Sequence, residues 1–316
     1  MLVLPLGMMI AMVAFVHVSV PSYVAITGEE FSRSAPINLH HSRLVKQSTN
    51  ATGLVGDDEA RYIDVKLLGI IPLKRVRVEL LPFDKVIPGG QLLGLRAKIE
   101  EIKTEDGRSK LETTGLGTLT FVNPENLNFA SLGHKFSDYE TGQTVSVKGG
   151  RVYKNNVVGI DKSKVKKVGT YKSGVRSGKG LDADGEIHYG NAFGVFGCLR
   201  PDSELGKAEV LSLTSRYNVV PGRAKLRTTL DNEVREFDIE IVKTKFQKKP
   251  NAKSLVVRIV DKELLEKTGG IIHGMSGSPI IQNGRVVGAL THVMLNNPAM
   301  GYGVYIDFMM DGINLP

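Results

Sequence analysis

The chain has 316 residues, enough for one large domain or two modest ones, and 41% hydrophobic against 23% charged residues, which excludes wholesale disorder. A single cysteine, Cys198, excludes an intramolecular disulfide and any cysteine-based metal site. The formal charge is +8, from 41 basic and 33 acidic residues, and 35 glycines with many β-branched residues favour short strands and turns over helices.

In chain order, residues 1–27 contain no charged side chain and include an apolar run of about 20 residues, long enough to span a bilayer as a helix. They are expected to be a signal peptide or a membrane anchor, so the protein is expected to be exported; a buried core helix is the competing reading. Residues 28–60 are polar and rich in small residues, and read as a tether. Residues 62–82 suggest two strands broken at Pro72, and VIPGGQLLGL (86–95) a Pro-Gly-Gly turn leading into an apolar strand. Residues 100–113 are charged and loop-like. From GTLTFV (117–122) onwards strands follow one another: TVSVKGGRVY, NNVVGI, AFGVFGCL, AEVLSL, AKLRTTL, REFDIEIV and SLVVRIV, with turn signals every 8 to 15 residues or so. That spacing suggests an all-β barrel or sandwich. DKELLEKTGG (261–270) predicts a short helix stopped by Gly269 and Gly270.

The positive charge is concentrated. Residues 148–180 carry ten basic residues, Lys162, Lys164, Lys166 and Lys167 among them, against one acid, Asp161; the run 243–253 has no acid. Such runs fit solvated hairpin edges, where lysine discourages strand aggregation. They also fit attraction to an anionic membrane surface. No nucleic-acid motif is present, and no nucleic-acid partner is expected. Cys198 lies in FGVFGCL, which reads as a buried strand, so the thiol is expected to be core.

GMSGSPI (274–280) sets Ser276 between small residues. A serine nucleophile needs a base and donors for an oxyanion. Glycines at 274 and 277 let the backbone turn sharply, and chymotrypsin-type geometry would assign the oxyanion hole to the N–H groups of Gly274 and Ser276. An ordinary small-residue turn is the bland alternative. Downstream, SPIIQNGRVVGALTHV predicts a hairpin through a type I′ Asn-Gly turn, followed by the loop NNPAMG and the strand YGVYIDFM. This layout resembles that of trypsin-like proteases. The base would be one of seven histidines. His17 lies in the apolar leader, His40 and His41 in the tether, and His188 in a charged loop. His273 and His292 flank the serine, where a structural role is common. His134 ends the apolar strand of FASLGHKFSD, a position from which a ring can project into a cleft.

Together GTLTFVNPENLNFASLGHKFSD, TGGIIHGMSGSPIIQNGRVVGALTHV and YGVYID resemble the stage IV sporulation protein B (SpoIVB) peptidases, and VIPGGQLLGL resembles that family's amino-terminal segment. The resemblance covers residues 62–98 and 117–316. It implies a chymotrypsin-like double β-barrel serine peptidase without a cofactor or metal, secreted between the forespore and mother-cell membranes. There the family cleaves a membrane-bound regulator, which triggers processing of a late sigma-factor precursor. Carried across residue by residue, the catalytic residues are His134, Asp261 and Ser276. Asp261 lies only 15 residues before Ser276, a much shorter gap than in trypsin-like enzymes, so Asp138 is a rival orienter of the histidine. Lys135 stands where the family usually has glycine; two readings are open, a charge that lowers the pKa of the adjacent base or a side chain that simply points to solvent.

The family usually carries a PDZ domain between the VIPGGQ and GTLTF segments. Here about 25 residues separate them, too few for a domain, so residues 61–116 are expected to form an N-terminal β segment without a PDZ domain, ahead of a peptidase domain at 117–316. Substrate docking through that domain is thereby in doubt. A catalytically degenerate paralogue that binds the regulatory complex without cutting it is the alternative reading.

Overall fold

The computed structural model describes residues 24–26, 61–67, 71–80, 84–103, 109–138, 141–174, 182–245, 247, 249–310 and 313. Apart from a short strand β1 (Val24–Ile26), the expected leader and tether lie outside the described residues. The chain divides into two compact units near Leu80. In the first, β2 (Arg61–Leu67) and β3 (Ile71–Leu80) pair as an antiparallel hairpin. Pro72 is the second residue of β3, so it opens a strand where a break was expected, a position that a residue without an N–H tolerates.

The second unit continues with β4 (Lys85–Pro88), β5 (Leu92–Lys103), β6 (Ser109–Val122), β7 (Asn128–Ser131) and β8 (Val147–Lys154). Then come β9 (Asn156–Asp161), β10 (Gly169–Gly174), β11 (Gly185–Asn191) and β12 (Gly194–Leu199). Strands β6, β5, β8, β11, β12 and β7 pair antiparallel in that order, and β7 pairs back onto β6. The ring is closed, which removes exposed sheet edges. The period of two explains its core. Along β5, Leu93, Leu95, Ala97 and Ile99 are buried while Arg96, Lys98 and Glu100 face solvent. Phe129, Val147, Val152, Ile187 and Val195 complete the filling.

A second ring follows β13 (Leu211–Leu213). It comprises β14 (Gly222–Leu230), β15 (Glu233–Thr244), β16 (Leu255–Ile259), β18 (Pro279–Gln282), β19 (Arg285–Met294) and β20 (Asn297–Tyr305). Their order is β18, β14, β15, β16, β20, β19, and β18 pairs with β19 to close it. Phe237, Ile239 and Ile241 of β15 point inwards, and Asp238 and Glu240 outwards. Burying each such large apolar side chain contributes roughly 1.5–3 kcal/mol. Strand β4 pairs with β6 and with β13, and β13 pairs with β19, so the two barrels share one continuous sheet. The expected all-β double barrel is therefore present.

Between β16 and β18, helix α1 (Lys262–Thr268) ends at Gly269 in a left-handed cap, as the double glycine predicts, and leads into β17 (Ile272–His273). A helix α2 (Ile306–Met310) follows β20 directly, where YGVYIDFM was expected to remain a strand. Two further expectations need correction. The charged stretch 100–113 supplies the outer arms of β5 and β6; they project with most residues in solvent, so they lack the apolar alternation of a packed strand. All of NNPAMG except its first residue, Asn296, belongs to β20, because β19 and β20 turn within two residues. Residues 85–116 contribute β4, β5 and most of β6, so the segment set apart as N-terminal is built into the first barrel. Among the described residues no helix is long and apolar enough to cross a membrane.

Candidate active site

The serine turn enters from α1 through β17. Gly274 and Gly277 have φ of +99° and +96°. A Cβ on Gly277 would lie 2.2 Å from the Thr118 carbonyl oxygen and 2.5 Å from the Leu132 nitrogen, so only glycine fits there. The turn thus rests directly on the backbone of the first barrel. Thr118 of β6 clamps it twice: its N–H donates to the Ser276 carbonyl at 2.7 Å, and its Oγ1 to the Gly274 carbonyl at 2.7 Å. From the second barrel, Gly277 N–H donates to the Leu290 carbonyl, and Leu290 N–H to the Ser278 carbonyl. The turn's own bonds use the N–H groups of Met275, Gly277 and Ser278, and leave those of Gly274 and Ser276 out.

His134 follows the segment of the first barrel that packs on the serine turn. After β7 the chain passes through two consecutive left-handed residues, Leu132 (φ +78°) and Gly133 (φ +71°). Buried Leu132 lies against Gly277, and Gly133 against Thr291 of β19. The His134 ring then lies 4.9 Å from that of His292, centroid to centroid. Its Nδ1 is 2.7 Å from the Lys135 carbonyl oxygen. A carbonyl oxygen only accepts, so Nδ1 carries the proton and Nε2 keeps its lone pair. Burial lowers the His134 pKa, the bond to the Lys135 carbonyl opposes this, and nearby His273 lowers it further. The Lys135 side chain is exposed; its main-chain carbonyl, and not the expected side-chain charge, is what bears on the ring.

Ser276 Oγ donates to the Thr291 carbonyl at 2.8 Å. Neither proposed acid meets His134. Asp261 caps α1: its Oδ1 accepts from Leu264 N–H at 3.0 Å and its Oδ2 from Asp238 N–H at 3.3 Å. Asp138 is buried and pairs with Lys110 at 2.7 Å, while accepting from Thr113 Oγ1 and from both N–H and Oγ1 of Thr141. Burial alone would raise its pKa, but these bonds outweigh it and hold the carboxyl well below the usual range. Among the described residues, no carboxylate hydrogen-bonds the His134 ring.

His292 was expected to be structural. Its pKa is pushed down to about 4 by burial, with smaller contributions from His134 and Lys253, and its Nδ1 is buried without a partner. His188 lies exposed on β11 and not in a loop. Cys198 is on strand β12, half-buried, and burial together with Glu186 pushes its thiol pKa up, away from nucleophilic reactivity. His17, His40 and His41 lie outside the described residues. Among the described residues no group of three or more His, Cys, Asp or Glu is placed to hold a metal ion. Sequence reasoning singled out Ser276, His134, Gly274 and Gly277, and the structure places Ser276 on the turn between those glycines and His134 two residues after Leu132, which packs on Gly277. Sequence reasoning missed Thr118, Thr291 and the Lys135 carbonyl, which act through backbone or long-range contacts that no local spacing announces.

A family model described as SpoIVB peptidase S55 matches residues 110–310. Among solved structures, the active form of the Rv3671c protease from M. tuberculosis is similar with a TM-score of 0.33 and 11% identity, covering 71% of this chain and 79% of that one. Comparison with curated proteins finds no match.

Proposed function

The chain belongs to the SpoIVB peptidase S55 family, and from that premise we propose that it is a serine endopeptidase with Ser276 as nucleophile and His134 as general base. One observation carries the reading. The serine turn of the second barrel is clamped by Thr118 of the first and packs on Leu132, two residues before a histidine whose Nδ1 is fixed and whose Nε2 keeps its lone pair. Ser276 Oγ attacks the peptide carbonyl, His134 Nε2 takes its proton and later returns it to the leaving amine. The N–H groups of Gly274 and Ser276, left out of the turn's own bonds, hold the oxyanion. The family expectation gives Asp261 the task of orienting the histidine. With Asp261 capping α1, we assign that task to the Lys135 carbonyl.

The substrate proposed from the family resemblance is a membrane-bound sporulation regulator. Where family members carry a PDZ domain, this chain has the β5–β6 hairpin, so recognition falls to the barrels. Ser276→Ala is expected to lower peptide cleavage by about 10⁶-fold, to abolish labelling by a fluorophosphonate, and to leave the thermal midpoint unchanged. Undiminished cleavage would overturn the assignment.

A second reading rests on the serine's hydrogen bond to Thr291 and the absence of a carboxylate on His134 among the described residues. A catalytically degenerate chain would bind the regulatory complex without cutting it. A folded wild-type sample that takes no fluorophosphonate label yet binds its partner would favour that reading.

A further inference from the structure

The loop joining β9 to β10, residues 162–168, presents Lys162, Lys164, Lys166 and Lys167 to solvent around Val165, which is 62% exposed. Its backbone is held on both sides. Buried Ser163 donates its N–H to the Thr268 carbonyl and its Oγ to the Ile271 carbonyl, and accepts from Gly169 N–H. Lys166, in a left-handed conformation at φ +65°, donates its N–H to the Leu295 carbonyl at 2.7 Å. Leu295, at the β19–β20 turn, is itself 54% exposed. Two large apolar side chains therefore stand in solvent on adjoining loops, with four cations around one of them. Asp161, the acid that precedes the loop, is paired with Lys172 at 2.8 Å. Among the described residues none of the four lysines forms an ion pair. An apolar tip ringed by cations has the chemistry of a membrane interface: the cations meet anionic headgroups while the apolar side chains reach the acyl boundary. A solvated hairpin edge accounts for the lysines but not for the two exposed apolar residues beside them.

We propose that this face, centred on Val165 and Leu295, docks on an anionic lipid bilayer. Through Ser163 and Ile271 the loop is tied to β17, which leads into the serine turn. Docking would hold that entry strand close to the membrane surface, which suits a substrate cleaved near a bilayer. This last consequence rests on the endopeptidase reading; the lipid contact does not.

The chain contains no tryptophan, so Val165→Trp in the full chain supplies a single local reporter. Its emission is expected to shift to the blue on adding vesicles containing phosphatidylglycerol, to do so much less with phosphatidylcholine alone, and to revert in high salt. Replacing Lys164, Lys166 and Lys167 by glutamine in that background should weaken the response by about 100-fold, at roughly fivefold per lysine. The measurement needs no catalysis and gives the same answer in a Ser276→Ala background. An equal shift with neutral vesicles, or a shift with a soluble polyanion such as heparin but none with anionic vesicles, would overturn the proposal.

Discussion

Leu132 and Gly133, both left-handed, turn the chain sharply between the end of β7 and His134. A branched side chain in that conformation costs of order 1 kcal/mol or more and persists only where packing over-determines it. Here the contacts with Gly277 and Thr291 supply that packing. As the proposed base the His134 ring must be neutral, and burial moves its pKa below the ordinary 6.5. The acid limb of kcat/KM is therefore expected below pH 6.5, measured on a short peptide substrate. Stability carries the same sign. In the folded state His134 and His292 bind protons less readily than in the unfolded chain, with His273 and Lys253 as their charged neighbours. Stability is thus full above pH 6.5 and falls as the pH drops from there towards about 4. Urea midpoints across that range measure it, and a midpoint that rose on acidification would contradict the assignment of neutral rings.

At the scale of elements, α1 tests the role of Asp261. A carboxylate at the N-cap can be replaced by asparagine with little loss, whereas alanine costs about 1 kcal/mol. Asp261→Asn is therefore expected to keep both stability and cleavage within about tenfold of wild type. Asp261→Ala should lower stability by about 1 kcal/mol in chemical denaturation. The same asparagine change in a working Ser-His-Asp triad costs about 10⁴ in kcat. A loss of that size would mean that Asp261 moves to His134 when substrate binds. The strand elements follow the same logic of local chemistry. Leu93 to Ile99 alternate because one face of β5 fills a barrel, and the outer arms of β5 and β6 read as loop because neither face does.

For the whole molecule, the proposed active site depends on two closed barrels meeting at one turn. Gly277 is the point of closest approach. Alanine there would place a methyl 2.2 Å from the Thr118 carbonyl oxygen at a φ of +96°, so the serine turn must lift from β6. Each barrel keeps its own ring of strands. Gly277→Ala is therefore expected to retain its β-rich circular dichroism while losing at least 100-fold in cleavage, since a displacement of about 1 Å is enough for that. Full activity would show that the contact between the serine turn and β6 does not position Ser276.

Some of this was settled by the sequence alone. Glycines at 274 and 277 can only mean a sharp turn around Ser276, Asn283-Gly284 a hairpin, and Gly269 a helix stop, and each is found with positive φ. The succession of short apolar strands between turn signals pointed to an all-β chain, because strand and turn preferences are local properties. Tertiary structure decided what those features meet. Ser276 and His134 are 142 residues apart, and nothing local relates them; the Thr118 clamp and the packing of Leu132 on Gly277 seat the serine turn on the barrel segment that leads into His134. It also decided the fate of the acids. Asp261 precedes a helix and Asp138 follows the histidine, so either was open on spacing. One carboxylate is taken by the first turn of α1 and the other by Lys110, because a charged oxygen bonds the donors that folding sets around it, wherever they lie in the chain.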